Sequence, residues 1–202
     1  MRQLAESDRR QLLDLARAAV EAAARRDPMP ELDPAGLSPA LRAPAAAFVT
    51  IHESGELRGC VGMMRFDVPL WENVREAAVA ATLDDPRFLP VSETELSGLE
   101  LEVSVLDPLV ELRDPANFVA GRHGIVAERD GRRALLLPQV AADMGWDAGQ
   151  MLDAVCRKAH FAEHAWRDAE TKLYVFESSR YSEHGLGEPE TEGPSHLGEL
   201  GR

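Results

Sequence analysis

The residues best equipped for chemistry lie in one short stretch, Leu57-Arg58-Gly59-Cys60-Val61-Gly62. Side chains alternate along a strand, so Arg58 and Cys60, two positions apart, share a face. A thiol beside a guanidinium loses its proton readily: a free value of about 8.5 falls to roughly 3.5–7.5 next to Arg or Lys. Cys60 is therefore a candidate nucleophile or redox group, with Arg58 as its electrostatic partner. Gly59 and Gly62 weaken a strand on propensity alone and permit a bulge or a close approach by another backbone. The competing reading makes Cys60 a small buried hydrophobe and Arg58 a surface residue.

Other candidates are scattered. Arg87 follows a helix stop and precedes Phe88, a place where a guanidinium can bind an anionic group bidentately. His123, between Gly121 and Gly124 in a short loop, is the best acid/base candidate. Gln139 follows Pro138 and serves either backbone groups or a substrate. Cys156, His160 and His164 fall at i, i+4 and i+8, a spacing that suits three metal ligands on one helical face. That reading is set aside, because the helix is predicted to end near His160. No metal or cofactor is expected.

The elements that must position these residues follow from periodicity. Leu12, Leu15, Ala16, Ala19, Val20 and Ala23 form the apolar stripe of a helix over about 7–25, closed by Asp27-Pro28-Met29-Pro30. A loop runs to about Pro44. Strands are predicted at 46–52 and 57–63, joined by a turn at Ser54-Gly55. The register that buries Val49, Ile51, Leu57 and Val61 together puts Thr50 opposite Cys60 and His52 opposite Arg58. Pro69 opens a second helix with Leu70, Val74, Ala77, Ala78 and Ala81 on one face, stopped by Asp84-Asp85-Pro86. Leu99, Leu101, Val103 and Val105 alternate with polar residues as a half-buried strand. Short strands follow at 124–127 and 133–137. Asp147 and Gln150 then form the capping box of a third helix, whose stripe is Met151, Leu152, Val155 and Ala159. Lys172–Glu177 is a last strand.

This order implies an α+β fold, a mainly antiparallel sheet with helices packed against it. The expected organisation is a single domain over 1–182, with room for a smaller subdomain, and a flexible acidic tail over 183–202. The 202 residues, 45% hydrophobic and 28% charged, suffice for a core without disulfides. A net charge of −13 argues against generic nucleic-acid binding, although Arg122, Arg129, Arg132 and Arg133 could form a local basic patch. Two cysteines without CxxC spacing fit neither a disulfide scaffold nor a zinc ribbon. No signal peptide or membrane span is evident, so a cytoplasmic location is expected.

With these residues in place, the chain resembles the AMMECR domain family, known in bacteria and archaea as AmmeMemoRadiSam system protein A. The family's Leu-Arg-Gly-Cys-Ile-Gly block is matched at 57–62 with Val61 for Ile. Asp85-Pro86-Arg87-Phe88, Leu101–Leu106, Gly121-Arg122-His123-Gly124, Leu136–Ala141, Trp146-Asp147 and Cys156–Ala159 follow in the family's order. His160 stands where the family usually carries Gly, and the tail has no family counterpart. The resemblance implies an α+β fold and an association with a Memo-like protein and a radical S-adenosylmethionine (radical SAM) enzyme. It implies no established reaction. The candidate site comprises Cys60, Arg58 and His123 as catalytic groups, with Arg87, Asp85, Arg122 and Gln139 as a substrate-binding rim. The alternative is a non-catalytic scaffold that binds those partners, with RNA binding a third and weaker reading.

Overall fold

A computed structural model of the chain describes residues 3–184. It has two compact units: the first runs to Val110 and resumes at Phe176, and the second is Glu111–Val175. The fold is α+β, with each unit built on a four-stranded sheet.

The first unit begins with helix α1, Glu6–Arg25, which buries Leu12, Leu13, Ala16, Ala19 and Val20. It ends where Arg26 turns left-handed and its N–H reaches back to Ala22 and Ala23. The stretch to Pro44 is not wholly extended, because Ser38 caps a one-turn helix α2, Pro39–Arg42. Strands β1, Ala47–Glu53, and β2, Glu56–Met63, form an antiparallel hairpin. Its two-residue turn uses positive φ at both Ser54 (52°) and Gly55 (82°), the primed geometry that matches strand twist. Helix α3, Leu70–Leu83, and strand β3, Leu99–Leu106, follow.

The sheet order is β2-β1-β3-β8, where β8 is Ser178–Ser182. Sequence periodicity does not reveal β8, since it is Ser-Ser-Arg-Tyr-Ser with only Tyr181 buried. Val49, Ile51, Leu101, Val103 and Val105 form one core with the apolar stripes of α1 and α3. Glu183, assigned to the tail by its sequence, is held instead: its carboxylate accepts from the guanidinium of Arg17 and from the N–H of Leu101. The rest of the expected tail, from 185, lies outside the described residues.

The second unit has the strand order β4-β7-β5-β6. These strands are β4 Val110–Glu111, β5 Gly124–Arg129, β6 Arg132–Leu136 and β7 Lys172–Phe176. Two helices accompany them, α4 Gln139–Met144 and α5 Ala148–Lys158. The Asp147–Gln150 capping box forms reciprocally, each side chain bonding the other's backbone N–H at 2.9 Å. Met151, Leu152, Val155 and Cys156 pack with Ile125, Ala127 and Leu173 in a second core.

Candidate functional site

The hairpin pairs Thr50 with Cys60 and Val49 with Val61, as the alternating pattern requires. Beyond Ile51, which faces Gly59, the register shifts so that His52 faces Leu57. Arg58 is the extra residue of a β-bulge. The expected pairing of His52 with Arg58 is therefore corrected. Leu57 also changes face, leaves the core and becomes 40% exposed. One residue on, packing demands a glycine. A Cβ on Gly59 would stand 2.4 Å from the carbonyl oxygen of Ala81, so only glycine lets α3 lie this close. Gly62 does the same for a side chain: the Phe48 ring occupies the space its Cβ would need.

Cys60 lies on an edge strand, half-buried, and its backbone points away from β1 to the segment after α3. Its N–H donates to Asp85 Oδ2 at 2.8 Å, and its carbonyl accepts from Arg87 Nη2 at 3.2 Å. Asp85 and Arg87 are themselves paired, Nε to Oδ1 at 2.9 Å and Nη2 to Oδ2 at 2.7 Å. The Arg87 N–H adds a further bond to Asp85 at 3.1 Å. The ion pair thus supplies what a neighbouring strand would, one acceptor and one donor. The Arg87 guanidinium beside it, with two backbone N–H groups, holds the buried Asp85 carboxyl far below the ordinary carboxylate range.

The sulfur accepts a hydrogen bond from Thr50 Oγ1 at 3.3 Å and also interacts with the Arg87 guanidinium. Burial pushes the Cys60 thiol above its ordinary value; Thr50 and Arg87 pull the other way, and Asp85 and Glu102 add to the rise. The expected activation by Arg58 is corrected. The Arg58 guanidinium is committed elsewhere, with Nε on Glu95 Oε1 at 2.7 Å and Nη1 on the Leu89 carbonyl at 3.0 Å. Arg58 holds Glu95 down at about 2, helped by bonds from Ser92. Phe88 lies under both guanidinium groups, 5.9 Å from Arg58 and 5.4 Å from Arg87. The structure thus assembles Arg58, Cys60, Asp85 and Arg87, but as a braced edge strand in which Arg58 is paired away from the sulfur.

Glu95 was not foreseen. Its signal was present, because Ser92-Glu93-Thr94-Glu95 has capping-box spacing and the reciprocal bonds form.

The remaining candidates belong to the second unit. His123 Nδ1 accepts the Val119 N–H at 3.1 Å, and its ring lies 6.0 Å from that of Phe118. Arg122 is exposed in the same turn, and Gln139 is the half-buried first residue of α4. The arginines that could form a basic patch are engaged. Arg129 bonds Asp168 and Glu170, Arg133 pairs with Glu128 at 3.8 Å, and Arg132 donates to the His160 carbonyl. Helix α5 stops at Lys158, and His160 adopts φ 58°, so Cys156, His160 and His164 do not share a helical face. Asp153 instead collects His164 Nδ1 at 2.8 Å and Trp166 Nε1 at 2.6 Å, with Glu163 nearby.

A two-sheet α+β architecture and an edge strand clasped at Cys60 by Asp85 and Arg87 define the class. The AMMECR1 family profile matches residues 13–181, so the chain belongs to that family. A protein of Methanothermobacter thermautotrophicus is 38% identical over 188 residues, 90% of this chain and 97% of its own length. A protein of Thermococcus onnurineus is 38% identical over 182 residues, covering 85% of this chain and 88% of its own. The crystal structure of the uncharacterised protein PH0010 of Pyrococcus horikoshii superimposes with a TM-score of 0.81 at 33% identity. That match covers 88% of this chain and 92% of the other. No helix among the described residues is long and apolar enough to cross a membrane.

Proposed function

We propose that this AMMECR1-family chain is a non-catalytic binding module of a modification system that includes a Memo-like protein and a radical SAM enzyme. The observation that carries the non-catalytic reading is the state of Cys60. Arg58, which would have lowered its pKa, is bound to Glu95 at 2.7 Å, and burial pushes the thiol above its ordinary value. A nucleophilic cysteine needs its thiolate, and nothing bonded to this sulfur removes a proton. The partners are those that the resemblance to the family implies, and the braced hairpin supports a fixed recognition surface.

The test is alkylation of Cys60 by iodoacetamide as a function of pH, with Cys60→Ser as the blank. The expected midpoint lies above the roughly 8.5 of a free thiol. Cys60→Ser is also expected to co-purify with the Memo-like protein as the parent does. A midpoint near neutrality, or loss of that association on Cys60→Ser alone, overturns the reading. A cysteine-dependent role is the second reading. It is favoured by the half-exposed Arg87, whose positive charge beside Cys60 a substrate could redirect by displacing Asp85.

A further inference from the structure

Helix α3 carries two stripes that the braced hairpin does not use. Trp71, Arg75 and Val79 recur at i, i+4 and i+8, and Glu72, Glu76, Ala80 and Asp84 recur beside them. Both stripes line a groove of about 430 Å³ within the first unit, with Met29 and Met63 as its other apolar walls. From Glu72 to Asp84 a helix rises about 18 Å, enough for three turns of a second helix. The volume falls in the range of pockets that hold several apolar groups. Two methionines give walls that adapt to irregular shapes.

The charges decide what fits. Arg75 is spent internally, donating to the Pro30 carbonyl at 3.0 Å and lying 5.9 Å from the Trp71 ring centre. Glu76 is paired with Arg65 at 2.6 Å. Glu72 and Asp84 have no cationic partner among the described residues. Asp84 is the C-cap of α3, where the helix dipole is negative and a carboxylate is disfavoured. The groove is thus apolar along its length and carries an uncompensated acidic rim, most uncomfortable at the Asp84 end.

We infer that this groove docks a cationic amphipathic segment of a partner protein, two or three apolar side chains entering between Trp71, Met63 and Val79 while Lys or Arg meets Asp84 and Glu72. The inference rests on the reading of the chain as a binding module and gives that module its recognition surface. Helix-in-groove recognition has these parts: apolar anchors at i, i+3, i+4 and i+7 and a charged flank that sets orientation.

The test titrates the isotopically labelled full chain with acetyl-Lys-Leu-Leu-Lys-Leu-Leu-Lys-amide and follows backbone amide shifts. Two further peptides control for chemistry, one with Glu in place of Lys and one with Ser in place of Leu. The expected result is a saturable shift confined to the amides of Met63, Trp71, Val79 and Asp84, absent with both controls. The double variant Glu72→Lys/Asp84→Lys, which alters only exposed or half-exposed positions, is expected to weaken binding at least tenfold. Val79→Lys, with its fold verified by the same spectrum, is expected to abolish it. Equal shifts with the Lys–Ser peptide, shifts centred elsewhere, or an unaffected double variant each overturn the proposal. These outcomes are separate from the thiol titration and the co-purification. A failed groove leaves the binding-module reading standing, and a low thiol pKa leaves the groove result standing.

Discussion

Gly59→Ala separates a packing requirement from a chemical one at the hairpin. The added methyl carbon would sit 2.4 Å from the Ala81 carbonyl oxygen, against an ordinary contact distance of 3.4 Å or more. The overlap of about 1 Å falls on helix backbone rather than on a flexible side chain. Ala77, Ala78 and Ala81, on the same helix, are at most 2% exposed, so α3 has no room to slide. Overpacking of this kind costs about 1–3 kcal/mol, and a backbone clash belongs at the upper end. Without the clash the substitution would stabilise by about 0.4–1 kcal/mol, because alanine restricts the unfolded chain. The sign of the effect is therefore diagnostic. A net loss of about 2 kcal/mol is expected, a fall of roughly 4–8 °C in midpoint for a chain of this size. Gly98→Ala, whose Cβ would meet nothing within 4 Å, is the matched control and should leave the midpoint unchanged or slightly raised. Thermal and urea unfolding followed by circular dichroism measure both. If Gly59→Ala matches Gly98→Ala, the close approach of α3 is not what the glycine is for, and the structural account of the motif fails.

The ion pairs give further expectations. Glu95 sits near 2 against an ordinary value of 4.5. A depressed carboxylate stabilises above its unfolded pKa, and that stability is lost as pH falls from about 4.5 towards 2. Glu95→Gln should flatten this acid limb and cost about 1–2 kcal/mol at pH 7, read by urea unfolding at several pH values. An unchanged limb would show that Arg58 and Glu95 do not interact in solution. Asp85→Asn removes charge and one acceptor from a position only 5% exposed, while the half-exposed Arg87 can regain water. A loss of about 2 kcal/mol is expected, with faster amide exchange at Cys60; unchanged exchange there would refute the clasp. Arg17→Ala releases Glu183 and the carbonyls of Leu96 and Leu99, and should speed exchange at Leu101, whose N–H bonds Glu183. No change at Leu101 would show that Glu183 is not anchored.

What the sequence disclosed depends on how each element announces itself. Helix α1, strand β3 and the Asp147 capping box carry period or cap chemistry in their own residues, and they stand where those signals put them. Thr50 opposite Cys60 followed from alternation alone. The bulge did not, because a period of two cannot register one extra residue. It moved Leu57 out of the core and took Arg58 away from His52. Strand β8 was hidden for another reason. As an edge strand with polar residues at four of its five positions, it pairs through backbone while showing no apolar period. Helix α4 begins directly after Pro138 and has six residues, too few for a stripe. The partner of Arg58 is remote in sequence, and only the local spacing of Ser92 and Glu95 hinted that this carboxylate was fixed.

The same geometry explains why two separated blocks belong together. Leu57–Gly62 and Asp85–Phe88 are adjacent in space because the second supplies the missing neighbour of the first. Asp85 takes the Cys60 N–H, Arg87 takes its carbonyl, and Phe88 lies under Arg58 and Arg87 alike. An edge strand with unpaired N–H and C=O groups recruits other strands, and an ion pair of opposite polarity ends that liability without adding a strand. Arginine next to cysteine looks in sequence like a device for making a thiolate. In three dimensions each guanidinium has its own carboxylate, and the charge that reaches the sulfur is offset by Asp85 and Glu102. The hairpin's chemistry is thus directed at its own backbone. One consequence is the position of α3, which Gly59 admits and Asp85 follows, and with it the groove on that helix's other side.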